Sequence, residues 1–269
     1  MSQAPHPKTI HDELVAALNA LIAEGRLVAN TDMRWKRIQR ETNALMKADA
    51  CLAWVTLGDL HSMSGEKSQM DACFKNALKI RHDELLYEHW AASLLNIGQV
   101  LEAQQLLAER CSPRLGKFTS KISLIQASGA FHLLHSAYEE AKVVGVDVSA
   151  YRDDIERTAA IVKLLDEAGL SDEDVGRAIA LVVQLIVKRG YFAHGAPIIS
   201  VADEPGVFRG VTFMLRTPFT GNEFLELAQD IVLAEEASHD LRKHALFDVG
   251  ILPAPTFSSA STTIEASSQ

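Results

Sequence analysis

Two stretches of this sequence repeat one another at a fixed offset, and that offset constrains the fold more than any other feature. Trp54, Leu57, Gly58, His61, Gly65, Phe74 and Ala77 set out a bulky residue, a Leu-Gly pair one turn on, a later glycine and a second apolar run. Displaced by 33 residues, Tyr87, Trp90, Ala91, Leu94, Gly98 and Leu107 take the places of Trp54, Leu57, Gly58, His61, Gly65 and Phe74, and Ala103 takes that of Met70. A glycine or alanine in the third place lets two helices approach closely. A helical hairpin cannot bury both of its faces alone, so such units stack to share a core. The spacing predicts helices separated at Gly65, around Arg81 to Asp83 and at Gly98, with Ser112-Pro113 ending the run.

Residues 51–83 and 84–116 therefore resemble tetratricopeptide repeats, with departures at four places. Met70 stands where a small residue is usual, His61 where an aromatic is, Trp90 in a leucine position, and Arg110 where alanine is expected. In a third copy Gly129 and Ala141 would serve, but no loop glycine lies between them. The resemblance implies binding of a polypeptide partner in a concave groove lined by the first helix of each unit. The matching positions are Val55, Asp59, Ser62 and Met63 in the first unit and Glu88, Ala92 and Asn96 in the second. Two of these are acids and none is a cation, so an apolar or basic segment suits the groove better than a free carboxylate terminus. The acidic balance and short array are similar to bacterial secretion chaperones of the tetratricopeptide type, although this chain is longer and carries a further C-terminal module.

The expected fold class is mainly α, a tetratricopeptide-like helical-repeat array with a small C-terminal α+β module. Ile10, Leu14, Ala17, Leu18 and Leu21 form an apolar stripe that Gly25 ends, and a second helix runs from Asn30 or Thr31 to about Ala48. Phe118 to Gly145 reads as one long helix or two abutting ones. Ser149 is placed to cap the next, ending at Gly169. Ser171, followed by Asp172, Glu173 and Asp174, caps another that reaches Lys188.

After Gly190 the pattern changes. Pro197 to Val201 and Val207 to Leu215 are β-branched and aromatic, with Asp203-Glu204-Pro205-Gly206 between them, which is a hairpin signal. A helix is expected from Asn222 to His239 on an apolar face of Phe224, Leu227, Ala228, Ile231 and Val232, followed by a third strand within Ala245 to Leu252. The domains so read are 1–190 (helical), 191–252 (α+β) and 253–269, a Ser/Thr-rich tail expected to be disordered.

A net charge of −9 argues against nucleic acid as the main partner. The basic stretch Arg34 to Arg40 spreads its four cations around more than one helical face. No run reaches the roughly 18 apolar residues of a membrane span; Ala178 to Val187 is the longest and Gln184 interrupts it. The N-terminus lacks a secretory pattern, and Cys51, Cys73 and Cys111 lie far apart, as reduced thiols of a cytoplasmic protein would.

Three groups of residues have the composition of a chemical site. His132, His135 and Glu139 lie at i, i+3 and i+7 but lack the HExxH spacing of a helical zinc site. Glu235, Glu236, His239, Asp240 and His244 form an acidic-imidazole cluster in which Glu235 and His239 pair at i, i+4. His194 lies between Gly190 and Gly195, where helices give way to strands. No cofactor and no metal is expected, and no nucleophile motif or phosphate loop is present. Two readings follow. One is a non-enzymatic adaptor or chaperone-like module, with a second contact by strand addition at an open sheet edge. The other is an enzyme or small-molecule sensor with its site at the junction near His194.

Overall fold

The computed structural model describes residues 7–110, 118–192, 196–204, 208–238 and 246–253. His194, Cys111, the tail from 254 and the residues 239–245 lie outside that set.

Eight helices form four consecutive hairpins: α1 (Pro7–Ala23) with α2 (Met33–Leu45), α3 (Ala50–Met63) with α4 (Lys67–Ile80), α5 (Glu84–Asn96) with α6 (Val100–Arg110), and α7 (Phe118–Ser128) with α8 (Phe131–Val143). The stretch read as one long helix or two is thus divided, at Gly129. Each first helix packs on the first helix of the next hairpin (α1 on α3, α3 on α5, α5 on α7), and each second helix packs on that same neighbour.

The residues that set the 33-residue offset account for the close contacts. A Cβ on Gly58 would lie 2.7 Å from the Phe74 ring, so the glycine brings α3 against α4. Phe74 in turn stacks on Trp90 of the next hairpin with ring centroids 5.9 Å apart. Asp32, Asp49 and Asp83 each accept a backbone N–H in the first turn of the helix that follows.

After α8 the chain enters a 3-10 turn at Ser149–Tyr151 and then α9 (Arg152–Ala168). Ser149 opens that turn, and the capping position itself falls to Tyr151, which makes no side-chain cap. α10 (Asp172–Lys188) begins on a reciprocal capping box in which the Ser171 hydroxyl accepts from the Asp174 backbone and the Asp174 carboxylate accepts from the Ser171 backbone.

α10 crosses the turn ends of the hairpins. A Cβ on Gly129 would lie 2.4 Å from Ile179, and one on Gly98 would lie 3.3 Å from Gln184. Both glycines have positive φ, which L side chains rarely adopt. Past its C-terminus, the Gly190 carbonyl accepts from Leu27 N–H at 2.8 Å and Phe192 N–H donates to the Gly25 carbonyl at 3.1 Å. The helix therefore reaches from the fourth hairpin back to the first.

The C-terminal part has the expected order of strand, strand, helix, strand: β1 (Ile198–Glu204), β2 (Phe208–Arg216), α11 (Gly221–Ala237) and β3 (Phe247–Leu252). β1 pairs antiparallel with β2, and β2 pairs parallel with β3, in the order β1-β2-β3. Ile199, Val211, Phe213, Leu215, Phe247, Val249 and Ile251 face inward and join the core that also holds Phe74, Leu94, Phe131 and Ile186. A smaller core under α1, α2 and α3 contains Trp35, Leu60 and Met63.

α11 packs on α10. It buries Leu227 and Ile231 but leaves Val232, expected on the inner face, exposed together with Leu225 and Leu233. Among the described residues no helix is long and apolar enough to cross a membrane.

Candidate functional site

α3, α4, α6 and α7 all pack against α5, and one stripe of the helix is left partly open between them. At 100° per residue, positions i, i+4, i+7 and i+11 share one face. Leu85, His89, Ala92 and Asn96 occupy the open one: Leu85 is 46% exposed, the others partly so. Two of the seven positions drawn from the tetratricopeptide resemblance, Ala92 and Asn96, lie on this stripe.

The other five are engaged within the protein. Val55 belongs to the main core, and Met63 to the smaller one, where α1 and α2 cover its side of α3. Ser62 is buried, its hydroxyl donating to the Asp59 carbonyl at 2.7 Å. The Asp59 carboxylate accepts from the Ser93 hydroxyl at 3.0 Å and lies 3.3 Å from His89 Nδ1, tying α3 to α5. Glu88 is 4% exposed and accepts from the Ser120 hydroxyl at 2.6 Å. Beside it the buried Lys121 and the largely covered Glu84 form an ion pair at 2.5 Å, which ties α5 to α7. The acids expected to select a basic ligand, Asp59 and Glu88, are thus held by this chain's own hydroxyl and imidazole groups. Asp59 raises the pKa of His89 above the usual imidazole value, through its hydrogen bond first and its charge second.

At the C-terminal end of the α5 stripe lies a cavity of about 150 Å³. Ala92 and Asn96 of α5, Ala127 of α7, Val183 of α10, Leu215 of β2 and Pro197 just before β1 are among its walls. The lining is apolar apart from Asn96, whose amide makes no side-chain hydrogen bond to a described residue. The cavity sits where the hairpins meet the sheet, at the junction singled out for the second reading, and two residues beyond the undescribed segment that contains His194.

The remaining groups do not converge. His132 lies between Asp172 (Nδ1 to Oδ1, 2.8 Å) and Asp166 (Nε2 to Oδ1, 3.1 Å), while Glu139 pairs with Lys142. Among the described residues no group of three or more His, Cys, Asp or Glu is placed to hold a metal ion. Glu235 stands apart from Glu236, its pKa raised by burial and by the nearby charge of Asp248; their expected partners His239, Asp240 and His244 lie outside the described residues. Two of the four cations at 34–40 are paired, Arg34 with Glu24 and Asp32, and Arg37 with Glu41. Cys51 and Cys73 are free and buried, and burial pushes the Cys73 thiol up to about 11, away from nucleophilic character.

The chain matches no family model, no curated protein and no solved structure. Its site is therefore read from its own geometry. Correspondence with the tetratricopeptide pattern does not mark Leu85 or His89. The period of α5 itself marks them, since 85, 89, 92 and 96 form one continuous stripe.

Proposed function

We propose that this protein is a non-enzymatic polypeptide-binding module, built on tetratricopeptide-like hairpins, whose cavity at the junction takes one apolar anchor residue of its partner. The cavity's size supports the reading. Pockets that enclose whole metabolites run to roughly 300–1,000 Å³, whereas an apolar cavity of about 150 Å³ suits a group the size of benzene. A Phe or Leu side chain is of that size. The α5 stripe leads to the cavity mouth, with Leu85 offering a second apolar contact and His89 and Asn96 polar ones. The net charge of −9 favours cationic residues in the partner away from the anchor. The packing of α3–α4 on α5–α6, with Gly58 against Phe74, supports the tetratricopeptide-like reading of those hairpins.

The test is selection from a displayed library of random 12-residue peptides on the full chain. Enriched sequences should share a Phe or Leu, and Ala127→Phe, which fills the cavity, should lower their retention at least tenfold while leaving the melting temperature near that of the wild type. Equal retention on the filled variant would sink the reading.

A further inference from the structure

We infer that the partner binds as an extended strand, added to the open edge of β1 and running from there into the cavity with its apolar anchor. This conformation rests on the cavity reading above and adds a second contact to it. The strand order leaves β1 with β2 as its one strand neighbour, while α9 packs against both strands. Among the described residues no other backbone hydrogen bond reaches 198–204.

An unpaired edge is a template for another strand unless proline, charge or a bulge interrupts it. Here the pairing with β2 is unbroken from Ile198 to Glu204, so no bulge turns the edge away. Pro197 lies before the strand and Asp203 near its far end, which leaves Ile199-Ser200-Val201-Ala202 without either protection. Ile198 and Ser200 are exposed.

What joins the edge to the cavity is Pro197, which forms part of the cavity wall and leads directly into β1. Leu215, another wall residue, follows the Met214 that pairs with Ile198. An added strand would lie about 4.8 Å from β1, so the residue it carries past Pro197 is within a residue or two of the cavity mouth. A partner helix consumes its own backbone groups in i to i−4 bonds and has none for the edge. An extended segment uses both features at once.

The experiment extends the peptide selection with edge variants of the full chain. Successive residues of β1 direct their N–H groups alternately toward β2 and away from it. Of Ser200→Pro and Val201→Pro, one therefore removes an outward N–H only, and it is recognised as the variant that keeps the wild-type melting temperature. The expected result is peptides with alternating β-branched residues and a terminal Phe or Leu, lost about tenfold on that edge variant and on Ala127→Phe alike. N-methylation of the winning peptide should weaken binding by about tenfold at every second nitrogen, the size of one lost hydrogen bond with an unsatisfied partner. Loss on Ala127→Phe with full retention on the edge variant would overturn the strand and leave the cavity reading standing. Retention on both, or no enriched peptide, would overturn both. A β1-to-β1 dimer in sedimentation, abolished by the edge variant, would assign the edge to a second copy of this chain and also overturn the inference.

Discussion

Gly58 shows how much a single absent side chain decides. Its missing Cβ is the space in which the Phe74 ring sits, 2.7 Å from where that atom would be. Gly58→Ala must displace a ring that is fully buried and stacked on Trp90, and overpacking of this kind costs about 1–3 kcal/mol. Chemical denaturation of the variant should show a lowered midpoint with an unchanged slope.

His132 gives the residue scale a pH dependence. Burial alone would depress its pKa, but hydrogen bonds to Asp172 and Asp166, and their charges, outweigh that and raise it. A histidine whose folded pKa is raised contributes stability that is fully present below the unfolded value near 6.5 and lost as pH rises through the folded one. Thermal melts of wild type and His132→Gln should therefore differ most near pH 6 and converge by pH 9. A gap that widens with pH would refute the assignment.

At the scale of elements, the contact between α5 and α7 carries a charge pair that most helix interfaces avoid. The Lys121 and Glu84 side chains are 3% and 12% exposed. Removing one member of a buried pair strands the other, at a cost of about 3–5 kcal/mol, whereas replacing both by apolar groups is often close to neutral. Lys121→Met should destabilise by that amount in urea titration, and Lys121→Met combined with Glu84→Leu should recover much of it. Additive losses would show that the pairing is not what the interface depends on.

Helices and their limits were legible because their signals are local: glycine at 65, 98, 169 and 190, aspartate or serine before a first turn, a 3.6-residue apolar period. The strand order after residue 197 was legible for the same reason. What could not be read was which face of each helix another element would cover. Met63 looks like a groove position until α1 and α2 pack over α3, Val55 until the main core closes on it, and Glu88 looks like a ligand contact until α7 brings Ser120 against it. The parallel pairing of β2 with β3 is likewise a tertiary outcome, set by the path of α11 rather than by any residue within the strands. The cavity draws its walls from α5, α6, α7, α10 and the sheet, and no window of sequence contains it.

For the whole molecule the decisive question is whether the helical half and the sheet fold as one. Sequence character changes sharply at Gly190, which suggests two units, yet the inner face of the sheet lies in the same apolar cluster as Phe131, Leu164 and Val183. The rings of Phe213, Phe131 and Phe247 meet within that cluster, Phe247 lying 6.3 Å from Phe213 and 6.4 Å from Phe131. All three tryptophans, Trp35, Trp54 and Trp90, belong to the helical half, so fluorescence reports on that half alone. Phe213 is fully buried on the central strand, and Phe213→Ala should remove about 3–5 kcal/mol from whatever unit contains it. If the core is shared, the fluorescence transition of the distant tryptophans moves by that full amount and coincides with the transition seen by circular dichroism. Should the sheet fold as a separate unit, the tryptophan midpoint stays where it was and the two probes part. Cooperative unfolding is the expected result, since α10 contacts α6 and α8 on one side and α11 and β3 on the other, and no layer of solvent divides the two. The same continuity bears on the proposed anchor site. A pocket between independently moving units would open and close, whereas one walled by a shared core is preformed, and a preformed pocket spares an anchor residue the cost of ordering its own binding site.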